Sequence, residues 1–186
     1  TAICLGQSVA LTATGGSSIT WAVLGGDFGS LSCTSCGTTT ANPNTTSVYT
    51  VSSMSGSGCI DFDTVTVVVN SIPTPTVYND TPLSFCTGDS VTLYTDSYSM
   101  YSWSPTVSVD SFITVYTSNT YTVTITDSNG CQNSANAVVT AFSLPTVDAG
   151  TAFSLCPGNS GPLNATGAVN YLWDVDATLS QLNIPN

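Results

Sequence analysis

Seven cysteines, eleven aspartates and a scatter of tryptophans and tyrosines are the side chains of this 186-residue sequence able to do more than a hydroxyl or an amide can. Thiols offer disulfides, redox exchange or metal ligation. Carboxylates offer acid–base work or calcium binding, and aromatic rings offer stacking surfaces. The absent residues narrow these options. There is no Lys, Arg or His, every acidic residue is Asp, and the formal charge is −11. Nucleic acids require cations that displace counterions, and anionic lipid requires basic residues, so neither is an expected partner. A Ser-His-Asp or Cys-His machine needs His, and a Schiff base or P-loop needs Lys. The Asp-Thr/Ser-Gly signature of aspartic proteases is missing too. A non-catalytic chain without a cofactor is therefore expected. The longest clearly apolar run lies around Val65–Val69, far short of the roughly 20 residues of a spanning helix, so membrane insertion is not expected.

The cysteines fall into a repeat. Cys4-Leu-Gly6-Gln-Ser8-Val9 precedes Trp21, Cys86-Thr-Gly88-Asp-Ser90-Val91 precedes Trp103, and Cys156-Pro-Gly158-Asn-Ser160 precedes Trp173; the Cys-to-Trp distance is 17 each time. Tyr49 and Tyr121 each stand 10 residues before a second cysteine, Cys59 and Cys131. The offset between the first two repeats is 82 at Cys and Trp but 72 at Tyr and the second Cys, so the first repeat holds a ten-residue insertion that contains Cys33-Thr-Ser-Cys36. The reading is a first repeat over 1–71, with the insertion in the 24–47 region, a second over 72–143, and the first half of a third over 144–186. Pairing within repeats predicts Cys4–Cys59, Cys86–Cys131 and Cys33–Cys36. Cys156 is left unpaired by truncation, because its partner would fall near position 201, past residue 186. Each long staple would stabilise its module by roughly 4 kcal/mol on the chain-entropy account. An even complement plus one, in a Ser/Thr-rich chain, suits an oxidising, extracellular setting. The opening Thr1, with no Met before it, reads as a mature or excised segment.

Short strands must position these residues. Val9 with Leu11, Ile19 with Trp21 and Val23, Val91 with Leu93, Tyr101 with Trp103, and Tyr121 with Val123 and Ile125 alternate with polar neighbours, as half-buried strands do. No window has the period of an amphipathic helix. Asp127-Ser-Asn-Gly130 reads as a hairpin turn. Strands of this length with regular turns in about 70 residues point to antiparallel β-sandwiches. The linkers Ser71-Ile-Pro73-Thr-Pro75 and Ser143-Leu-Pro145-Thr146 carry prolines that fix φ, so the joints are expected to be short and stiff. The first cysteine precedes its strand and the second follows a turn. The staple is thus expected at an edge or end of the sandwich, unlike the mid-strand bond of immunoglobulins.

Each candidate site has a plainer reading. Cys33-Thr-Ser-Cys36 could be a redox dithiol or half a zinc site, but its Gly/Thr/Ser flanks favour a structural loop disulfide. Asp61 with Asp63, and Asp174 with Asp176, put paired carboxylates on one strand face and are weak calcium candidates; solvated edge charge is the alternative. Tyr98, Tyr101 and Tyr116 with Trp103 could stack sugars, yet the equivalent positions of Trp21, Trp103 and Trp173 favour a core role. The sequons at Asn44, Asn79 and Asn164 matter only in a eukaryotic-type secretory route.

Cys-x-Gly-x-Ser-Val-x-Leu, then Tyr101-Ser-Trp-Ser-Pro105, then Asn119-Thr-Tyr-Thr-Val-Thr-Ile-Thr-Asp-Ser-Asn-Gly-Cys131 resembles the PKD-like or Ig-like tandem repeats of large Bacteroidota surface proteins, such as gliding-motility adhesins exported by type IX secretion. The resemblance implies an all-β fold of tandem Ig-like/PKD-like sandwiches with an incomplete third domain. It implies a structural or adhesive segment of a long extracellular, cell-surface filament, whose partners are neighbouring repeats and possible surface glycans or other filament subunits. It also implies O-glycosylation at Asp-Ser/Thr before an apolar residue, which Thr64 and Ser90 satisfy. Two other roles fit the same residues: a carbohydrate-binding or spacer module of a secreted enzyme, and a pilus or sheath subunit completed by strand exchange.

Overall fold

Alternating β-branched and aromatic residues bury one face per strand, and in the computed structural model, which describes residues 1–173, they form strands throughout and no helix. The first unit contains β1 (Ala2–Cys4), β2 (Val9–Thr12), β3 (Ser18–Gly25), β4 (Thr38–Ala41), β5 (Ser47–Met54) and β6 (Ile60–Asn70). The second contains β7 (Tyr78–Asn79), β8 (Ser84–Cys86), β9 (Val91–Tyr94), β10 (Met100–Ser104), β11 (Phe112–Val115), β12 (Asn119–Thr126) and β13 (Gln132–Phe142).

Each unit is two facing sheets. In the second, β10-β12-β13-β8 faces β11-β9-β7; in the first, β1-β6-β5-β3 faces β2-β4. The pairings are antiparallel except at one edge, where β1 runs parallel to β6 and β8 parallel to β13. This is the strand order of an Ig-like β-sandwich, with the short first strand switched onto the last. Each unit has its own core. Leu93, Trp103, Tyr121, Val123 and Ile125 centre the second, and Leu11, Trp21, Tyr49 and Val67 the first.

The registers coincide: Trp21 stands opposite Val51 and Trp103 opposite Val123. These aliphatics and the facing Leu11 and Leu93 fill the space that an inter-sheet disulfide occupies in antibody domains. The offset at β4 and β11 is 74, from Leu11↔Thr39 and Leu93↔Ile113. Most of the insertion therefore precedes β4.

Among the described residues after Phe142 there is only an isolated bridge, Asp148 to Thr166. Trp21 and Trp103 are buried, but Trp173 is 38% exposed, against the core role expected for it.

Candidate functional site

The parallel pairing of β1 with β6 decides where the cysteines lie. Cys4 aligns with Asn70 at the last residue of β6, whereas Cys59 sits just before Ile60, at its first. At about 3.4 Å per residue, the 11 residues of β6 separate Cys4 from Cys59 by about 37 Å. A disulfide needs Cα atoms within about 7 Å. The second unit repeats this: Cys86 aligns with Phe142 at the end of β13, and Cys131 precedes Gln132 at its start. The expected pairs Cys4–Cys59 and Cys86–Cys131 are therefore corrected, because each would join opposite poles of one sandwich.

The bond that forms crosses the joint. Cys4 is disulfide-bonded to Cys131, with Cα atoms 5.6 Å apart and a sequence separation of 127. Both lie at the poles that face the linker. Cys4 is held by a turn in which its carbonyl accepts from Gln7 N at 2.9 Å and its N–H donates to Gln7 Oε1 at 3.1 Å. Cys131 closes the β12–β13 turn, where Asp127 Oδ1 accepts from Asn129 N and Cys131 N, both at 2.8 Å. Gly130, with φ of 83°, supplies the left-handed residue this turn requires. The same hairpin reaches the linker: Asn133 Nδ2 donates to Pro73 O at 2.8 Å. Cys131 is fully buried by these contacts. On the chain-entropy account, so long a closed loop stabilises the two units jointly by about 5 kcal/mol.

Cys33 and Cys36 are bonded to each other, with Cα atoms 5.9 Å apart. The loop they close serves the first core. Trp21 Nε1 donates to Cys36 O at 2.9 Å, as Trp103 Nε1 donates to Asp110 O at 3.0 Å in the second unit. Cys59, Cys86 and Cys156 are exposed free thiols.

Two tyrosines that enter the repeat only as spacing marks turn out to tie corners. Tyr121 Oη donates to Thr117 O, four residues upstream, at 3.0 Å. This is the tyrosine corner of immunoglobulin folds. Tyr49 instead meets Ser30 Oγ at 2.6 Å, and that hydroxyl donates to Asp27 O.

Asp61 and Asp63 lie on the exposed part of β6, each accepting the next residue's N–H: Phe62 at 2.9 Å and Thr64 at 2.7 Å. Among the described residues, no group of three or more His, Cys, Asp or Glu comes together as a metal site. Asp174 and Asp176 lie outside the described residues. Thr64 is exposed on β6, and Ser90 is half-buried before β9.

The sugar platform expected from Tyr98, Tyr101, Tyr116 and Trp103 does not assemble. Trp103 is core, and Tyr98 and Tyr101 pack at the margin of that core, edge-to-face against each other, with Tyr101 Oη accepting from Tyr98 N at 2.6 Å. Burial, then the charge of Asp96, pushes the Tyr98 phenol above its ordinary pKa. The exposed aromatic row lies elsewhere. Tyr78, Tyr94 and Phe112 occupy one register line across β7, β9 and β11, with Tyr78 and Tyr94 stacked at 5.5 Å. It was hidden in the sequence because its members come from three separate strands.

No protein-family model matches the chain, and no curated protein matches it. Solved structures with similar backbones include the amphioxus IgVJ-C2 molecule, at 14% identity over 75% of this chain and 99% of that one, TM-score 0.34. Extracellular domains 3–5 of Drosophila OTK align at 13% identity over 76% of this chain and 58% of that one, TM-score 0.42. Murine CEACAM1b aligns at 14% identity over 76% and 96%, TM-score 0.38. The fold assignment rests on the strand order itself.

Proposed function

We propose that the chain is a non-catalytic, load-bearing segment of an extracellular array of Ig-like modules, in which a disulfide across each joint makes neighbouring modules one body. The Cys4–Cys131 bond carries this reading. Tension entering at Thr1 passes from Cys4 through sulfur to Cys131 and skips the intervening strands. The two prolines of the linker shorten and stiffen the same joint. The sequence has no His, Lys, Arg or Glu, which supports a structural role. In its finer form the reading is a cell-surface filament of the gliding-motility adhesin kind, supported by the residue resemblance at Asn119–Cys131.

The aromatic row of Tyr78, Tyr94 and Phe112 favours a second reading, a glycan-binding spacer, since stacked rings on a flat exposed sheet suit sugar faces. Glycan-array binding that is lost in Tyr94→Ala would support it.

Amide relaxation tests the main reading. In the oxidised chain both modules are expected to share one rotational correlation time. In the Cys4→Ser variant each should tumble faster and separately. Identical relaxation in the two proteins would contradict a covalent joint.

A further inference from the structure

Cys86 and Cys156 repeat the setting of Cys4. Cys86 O accepts from Asp89 N at 3.0 Å and Cys156 O from Asn159 N at 3.1 Å, as Cys4 O accepts from Gln7 N at 2.9 Å. Gly88 and Gly158 take the same left-handed turn as Gly6, with φ of 114°, 89° and 84°. Cys86 ends a strand paired in parallel with the last strand of its unit, as Cys4 does, and Thr87 N donates to Phe142 O as Leu5 N donates to Asn70 O. Cys59 likewise repeats Cys131. Ser55 N donates to Cys59 O at 2.8 Å and Gly58 N to Ser55 O at 3.0 Å, matching Asp127 N to Cys131 O at 2.9 Å and Gly130 N to Asp127 O at 3.2 Å.

The chain thus displays two kinds of thiol, a first-position cysteine at the trailing pole of a module and a second-position cysteine at the leading pole. The one pair of these kinds whose modules are adjacent in the right order, Cys4 and Cys131, is bonded. The exposed thiols Cys59 and Cys86 lie at the pole opposite to the other cysteine of their own module, and Cys156 is exposed as they are.

From this we infer that Cys59, Cys86 and Cys156 are unclosed links of a continuous inter-module disulfide chain. Cys86 and Cys156 each take the second-position cysteine of the module that follows their own, as Cys4 takes Cys131, and Cys59 takes the first-position cysteine of the preceding module. The partner is a thiol on an Ig-like module of this same kind, whether further along one polypeptide or on a second copy. Each bond forms as two thiols give two hydrogens to a small disulfide such as oxidised glutathione, whose S–S bond breaks and which leaves as two thiols. The result is two interleaved covalent paths. One runs from Cys59 to Cys86 and the other from Cys131 to Cys156, spans of 27 and 25 residues along the chain. The inference rests on the array reading.

Peptide mapping without reduction tests it, on the protein isolated from its source after free thiols are blocked with iodoacetamide. Trypsin has no site in this chain, so an Asp-directed protease is used. Peptides containing Cys59, Cys86 and Cys156 are expected unalkylated until reduced, each linked to a cysteine of the opposite kind in another module. A monomer on a non-reducing gel would place that module in the same polypeptide, and a ladder that collapses on reduction would place it on a second copy. Alkylation of all three before reduction, links between cysteines of the same kind, or a Cys59–Cys86 link in a monomer would each overturn the inference. If those results came with an intact Cys4–Cys131 peptide, the locked-joint reading would stand without it. Alkylated Cys4 would remove both. Cys86→Ser is expected to abolish the Cys86 link and leave Cys4–Cys131 untouched; loss of both together would overturn the independence of the links.

Discussion

Where Ile125 is fully buried on β12 of the second module, β5 of the first carries Ser53; where Ile113 and Val115 line β11, β4 has Thr39 and Ala41. Nine buried residues centre the second core and six the first. The first module makes good this thinner packing with polar ties from its insertion. Cys33 N donates to Thr39 Oγ1 at 3.1 Å, Thr40 N to Ser32 Oγ at 2.9 Å, and Asn42 N to Ser30 O at 2.8 Å. One sandwich plan therefore tolerates two ways of closing its core: aliphatic burial, or a stapled loop whose polar groups are bonded to β4.

The largest test of this contrast gives the second module the first module's residue. Ile125→Ser removes a fully buried side chain and leaves a hydroxyl in its place. A loss of about 3 kcal/mol is expected, confined to the second module in urea unfolding followed by NMR. Equal effects on both modules would dissolve the contrast. Next, the Cys33→Ser/Cys36→Ser double variant should cost the first module about 2 kcal/mol on the chain-entropy account and leave the second unchanged. Hydrogen exchange of the Trp21 indole N–H, which is bonded to Cys36 O, reports it directly.

Tyr121→Phe removes the bond to Thr117 O and should cost the second module about 1 kcal/mol. Tyr49→Phe should cost less, because Ser30 Oγ keeps its bond to Asp27 O. Thermal denaturation of the two variants ranks them. The smallest effect is in acid. The backbone N–H groups of Asn44 and Gly29 hold the Asp27 carboxyl below the usual value of 3.8, and the N–H of Thr92 does the same for Asp80. Both carboxylates stabilise the fold above pH 3.8, and that contribution is lost as pH falls through their lowered values. Asp27→Asn should flatten the acid limb of the first module alone in a titration followed by circular dichroism.

The repeat, the strands and the sandwich were legible because equal spacings of Cys, Trp and Tyr mark equivalent positions, and alternation marks buried faces. The cysteine partners were not. A repeat fixes position within a module, and pairing inside a module or between adjacent modules leaves the same spacing. The choice depends on which pole each cysteine occupies, which follows from the parallel docking of β1 on β6. That contact joins residues 66 apart in sequence and has no local signal. The Tyr78, Tyr94 and Phe112 row is hidden for the same reason, since cross-strand neighbours are set by register.

Pulling single chains from both ends, before and after reduction, tests the covalent joint most directly. With Cys4–Cys131 intact, the span between them, a sequence separation of 127, bears no load and is expected to release no length. Reduction should then add about 400 Å of contour at about 3.4 Å per residue. If the oxidised chain instead extends through residues 60–85 while two shorter loops stay shielded, the bonds lie within modules and the locked joint is wrong.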